Sequence, residues 1–88
     1  MIPKQRRPTH PGEILAEEFL KPLKLSQLAL AARMGVPVQR VNTLINAKRD
    51  VSAETAVLLG RALKTSPEFW MNLQTALDLY LAGQKLAA

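Results

Sequence analysis

Residues 25–49, LSQLALAARMGVPVQRVNTLINAKR, decide how this chain folds. Ser26 is a good N-cap, because its hydroxyl can accept from an unpaired N–H of a first turn. Leu28, Ala31, Ala32 and Met34 follow at three- and four-residue intervals, the spacing of one buried helical stripe. Gly35 stops that helix, since a glycine just past the last turn adopts the left-handed conformation without strain. Pro37 opens the next one, where a missing N–H costs little. The turn between the helices is then Gly35-Val36.

With the second helix placed over 37–46, a 100° advance per residue gathers Val41, Leu44 and Ile45 on one side, with Val38 at the edge. Gln39 and Thr43 lie near the centre of the opposite side, surrounded by Arg40, Asn42 and Asn46. Amide, hydroxyl and guanidinium groups can bond base edges or phosphates, and the Val38 methyls can meet a thymine methyl. Lys48 and Arg49 follow where the chain leaves this helix. A polar face alone describes any surface helix. Here Ala31 is small where two helices must approach, a glycine follows four residues later, and Val41 and Leu44 stand at fixed positions beyond it. The layout is that of a helix-turn-helix over about 26–46, with its second helix in the major groove of DNA.

The 88 residues make one domain, and a domain this small gains stability by oligomerising. A hydrophobic content of 48% suits a helical globule, and with no cysteine there is no disulfide or thiolate metal site. No run approaches the ~18 apolar residues of a membrane span, and the basic N-terminus lacks a signal peptide's apolar core, so a cytoplasmic protein without membrane contact is expected. The net charge is +5, unevenly spread: residues 1–49 carry nine Lys/Arg against three Asp/Glu, and residues 50–88 three against four. The positive charge travels with the helix-turn-helix, as phosphate neutralisation requires.

Residues 1–10, MIPKQRRPTH, read as a flexible basic arm, and 11–82 as the helical domain. A first helix is expected from Pro11 to Leu20, with Leu15 and Phe19 inward and Pro22 closing it. Ser52 caps a fourth helix with Ala56, Leu59 and Leu63 buried, ending near Lys64. Ser66-Pro67-Glu68 starts a fifth, expected over about 67–82 with Gly83 as its stop and 83–88 a short tail.

Phe69, Trp70, Leu73, Ala76, Leu77, Tyr80 and Leu81 cover a broad arc of this last helix, and Met71 and Leu79 add apolar surface outside it. That surplus predicts a homodimer, with Trp70, Met71, Leu77, Leu79, Tyr80 and Leu81 at its interface; the competing use for it is to cover the first helix of the same chain. A two-fold operator requires two recognition helices ~34 Å apart, which such a dimer supplies.

Catalysis has no constellation to work with. His10 is the only histidine, and without cysteine there is no Cys-His nucleophile. Glu17 and Glu18 diverge by about 100° on a helix, and no glycine-rich phosphate loop is present. Neither an enzyme, a metal site, a cofactor nor a small-molecule substrate is expected.

The stretches RPTHPGEIL (7–15), NAKR (46–49), SAETA (52–56) and TSPEFWMNLQ (65–74), together with the helix-turn-helix, resemble the HigA antitoxins within the Xre/Cro-type repressors, over residues 6–82. The resemblance implies an all-α, five-helix, lambda-repressor-like fold. It also implies a dimer that binds its own operon promoter, and a HigB-type partner similar to the RelE-like toxins that cleave mRNA on the ribosome. Carried over to this chain, the family's DNA-reading positions are Gln27 for phosphate, Val38, Gln39, Arg40, Asn42 and Thr43 for the groove, and Lys48 and Arg49 for the backbone. Two other readings stay open: a stand-alone or phage-type repressor with no toxin partner, and a protein-interaction module that does not bind DNA.

Overall fold

The computed structural model describes residues 7–87, so most of the expected basic arm lies outside the described residues. Five helices follow in order, with no strand among the described residues: α1 over 11–23, α2 Gln27–Met34, α3 Val38–Ile45, α4 Ala53–Leu63 and α5 Pro67–Ala87. Three starts are capped as the sequence predicts. Ser26 Oγ accepts from Ala29 N, Ser52 Oγ from Thr55 N and Ser66 Oγ from Phe69 N, at 3.0, 3.2 and 3.1 Å. Gly35, at φ 70°, closes α2 by donating to the Ala31 and Ala32 carbonyls. Pro37 stands one residue earlier than expected, as the N-cap of α3 in extended conformation.

Pro22 does not close α1. The helix widens into a π segment over Leu15–Leu20, in which the Lys21 N–H reaches the Ala16 carbonyl, and it continues through Lys21–Leu23. Proline has no N–H for the usual ladder and its ring crowds the preceding turn; widening that turn accommodates it. The stop is Lys24, in left-handed conformation at φ 52°, with Leu25 N bonded back to the Leu20 carbonyl at 2.9 Å.

Trp70, Leu15, Leu30, Leu44, Leu59, Leu77 and Val41 form the centre of the core, each 0–2% exposed. Burying each such side chain is worth about 1.5–3 kcal/mol. The phase of α2 differs from the expectation: Leu30, Ala31 and Met34 are buried, whereas Leu28 is 68% exposed and Ala32 is exposed. Residues 28–32 are apolar without interruption, so two phases of the stripe fit the sequence equally, and packing selects the one that includes Leu30.

The last helix serves two ends. Its first turns cover α1 and α4, with Phe19, Phe69 and Trp70 rings meeting at centroid distances of 5.0–5.9 Å and Trp70 Nε1 donating to Thr65 Oγ1 at 2.7 Å. Trp70 and Leu77 are therefore core residues of a single chain, not dimer-interface residues as expected, and Met71 is half-buried against that core. Beyond Leu77 the helix projects: it passes Gly83 without stopping, runs to Ala87, and every residue from 81 to 87 is exposed. A glycine inside a helix costs only about 1 kcal/mol, too little to end this one.

Gly12 and Gln74 hold the rest in register. Gly12, in the first turn of α1, lies against the end of α3, where an added Cβ would overlap the Leu44 carbonyl oxygen and meet Ile45 Cα at 3.0 Å. Gln74 is 2% exposed; its Oε1 accepts from Val51 N at 2.8 Å and its Nε2 donates to Asp78 Oδ1 at 2.9 Å. Gly12→Ala should cost ~3 kcal/mol or more, seen as a lower urea midpoint at unchanged slope. Gln74→Leu should cost about 1–3 kcal/mol by stranding the Val51 N–H, with faster hydrogen exchange at that amide.

Candidate nucleic-acid interface

Helix α3 is braced from both flanks and bare along its centre. On the α2 side, Asn42 Nδ2 donates to Gln27 Oε1 and Asn42 Oδ1 accepts from Asn46 Nδ2, both at 3.2 Å. On the α4 side, Arg40 Nη2 donates to Glu54 Oε1 at 3.0 Å and to Thr55 Oγ1 at 3.2 Å. Thr55 is itself buried and accepts from Ser52 Oγ, so the guanidinium ties α3 to the capped first turn of α4.

Between the braces, Gln39 is exposed and its side chain has no hydrogen-bond partner among the described residues, and Val38 is 38% exposed at the helix start. Thr43 is half-buried, with its hydroxyl donating to the Arg40 carbonyl at 3.2 Å. Pro37, Gln39, Arg40, Thr43 and Arg49 line one shallow groove along this strip.

The basic loop is aimed by backbone geometry. Ala47 turns the chain at φ 60°, with Lys48 N returning to the Thr43 carbonyl at 2.9 Å. Lys48 and Arg49 are exposed and make no ion pair among the described residues, while the neighbouring Asp50 lies 3.5 Å from His10 Nε2. The loop is thus held at Val51 by Gln74, and among the described residues Lys48 and Arg49 have no acidic partner at the end of α3.

All eight residues expected to read DNA fall on or beside α3, but in different states. Gln39, Val38, Lys48 and Arg49 are presented outward; Gln27 and Asn42 are joined to each other; Arg40 is turned toward α4, with a side chain 25% exposed. The brace involving Glu54 and Thr55 was not legible, because residues 14 and 15 positions away in sequence carry no spacing signal. Asn46 continues the amide series, and its four-residue offset from Asn42 is the signal that finds it.

A helix-turn-helix family profile matches residues 17–70. Antitoxin HigA-1 of Vibrio cholerae is 45% identical over 76 residues, 86% of this chain and 71% of the relative. The chain belongs to the HigA-type antitoxins of the helix-turn-helix family. Among solved structures, antitoxin GraA in complex with its operator is 48% identical with a TM-score of 0.84, covering 96% of this chain and 85% of GraA. Pseudomonas aeruginosa antitoxin HigA with the higBA promoter is 43% identical with a TM-score of 0.85, covering 91% of each chain.

For this HigA-type chain the geometry separates two kinds of contact. Gln39→Ala and Thr43→Ala should relax sequence preference, costing about 1–3 kcal/mol on the preferred site and little on random duplex. Lys48→Ala should weaken binding to every duplex and flatten the salt slope by about 0.9, measured by anisotropy titration across salt concentrations.

Proposed function

We propose that this chain is a sequence-specific repressor of its own operon that acts as a dimer, and the antitoxin of a HigB-like, RelE-type mRNA-cleaving toxin. The observation that carries the DNA half is the open strip of α3 at Gln39 and Thr43, flanked by the exposed Lys48 and Arg49. Relatives of 43–48% identity, GraA and the Pseudomonas HigA, have been solved on an operator and a promoter, which supports carrying DNA binding over to this strip. In this reading the chain has no catalytic role, works in the cytoplasm and inhibits the toxin by binding and occlusion.

The projecting end of α5 supports the dimer. Leu79 is 68% exposed and Leu81 40% exposed, beside the half-buried Tyr80, on a stretch that the body of the domain leaves uncovered. An isologous contact through this end brings two α3 helices into one assembly, as successive major grooves require.

Co-expression with the product of the adjacent gene, followed by pull-down and promoter gel shift, tests both partners. A stable complex with a small basic RelE-like protein and a salt-sensitive promoter shift are expected. Promoter binding without toxin capture would leave a stand-alone repressor, and toxin capture without promoter binding an interaction module. Replacing Leu79 and Leu81 with lysine should shift sedimentation to the monomer and weaken promoter binding at least tenfold, because each α3 then binds alone.

A further inference from the structure

Among the described residues, Arg40 is the cation of the recognition helix that the chain itself occupies. Its guanidinium carries five N–H donors, yet among the described residues Nη2 alone makes hydrogen bonds, one to Glu54 and one to Thr55, and Nε is buried without a partner. The Glu54 carboxylate meets one guanidinium nitrogen instead of forming the two parallel bonds of a bidentate pair, and its side chain is 75% exposed. Such a partly exposed, single-nitrogen ion pair adds little stability. Arg40 also lines the groove shared by Gln39, Thr43 and Arg49, where a DNA phosphate beside the recognition strip would lie. On its other side it shares a second groove with Glu54 and Arg61, and Arg61 forms no ion pair with Glu54.

We propose that Glu54 acts as an internal competitor for DNA phosphate: by holding Arg40 on α4 it limits the affinity of the recognition helix for duplex DNA. This inference rests on the DNA-binding reading above. In the free chain the carboxylate takes the place of a phosphate oxygen at Nη2, so Arg40 adds no counterion release when the helix enters a groove. Glu54 thereby sets how tightly the chain holds any duplex, while Gln39 and Thr43 set which duplex it prefers.

Glu54→Gln keeps a residue of the same shape in the first turn of α4 and removes the charge. At about 0.1 M salt it should bind operator and random duplex roughly two- to fivefold more tightly, with a salt slope steeper by up to ~0.9 per protomer and a melting temperature lowered by no more than a few degrees. Repeating the substitution in an Arg40→Ala background separates exchange from long-range repulsion. There the gain should disappear. An equal gain in both backgrounds, or no gain in either, overturns the proposal. A wild-type chain with no salt-sensitive duplex binding overturns the repressor reading and this inference with it, whereas wild-type binding with an inert Glu54→Gln overturns this inference alone.

Discussion

A contact of backbone on backbone, Gly12 against the Leu44 carbonyl and Ile45 Cα, fixes where the recognition helix sits. It joins the first turn of α1 to the last turn of α3 at a distance no side chain permits. The residues around it serve that approach. His10 Nδ1 accepts from Gly12 N at 2.9 Å, the His10 carbonyl accepts from Glu13 N and Ile14 N, and Pro11 is buried at the first helical position, so the backbone N–H groups of the helix start are satisfied. The HPGEIL segment is therefore a docking element for α3, although it lies far from α3 in sequence.

From that anchor the structure becomes progressively more open toward the candidate interface. The apolar side of α3, Val41 and Leu44, is within the core; its flanks are tied by Asn42 to α2 and by Arg40 to α4; its centre, at Gln39, is exposed. A helix held on three sides loses little freedom when its fourth meets a groove, and so pays a small ordering cost on association. The following loop is treated likewise, with Val51 bound to a buried amide and Lys48 and Arg49 left to solvent.

What the sequence made legible is local. Ser26, Ser52 and Ser66 cap as their type and position require, Gly35 turns the chain, and the Val41/Leu44/Ile45 side of α3 follows from period alone. What it concealed depends on tertiary context. The unbroken apolar run 28–32 leaves the phase of α2 undetermined, and Pro22 is accommodated by a widened turn that no propensity scale anticipates. Apolar periodicity does not say which neighbour covers Trp70 and Leu77, so it fits a dimer contact as well as the packing found, against α1 and α4 of the same chain. The burial of Gln74 has no sequence signal, since a glutamine on a helix ordinarily faces water, and Arg40 is legible as a polar residue of α3 while its partners on α4 are not, being distant in sequence.

The burial of Trp70 has an optical consequence. It is the only tryptophan, fully enclosed, in contact with two phenylalanine rings and bonded through its indole N–H to Thr65. Its emission therefore reports the integrity of the junction between α1, α4 and α5. Excited apart from Tyr80, which lies further along α5, the tryptophan emission of this chain is accordingly a readout of folding at that junction.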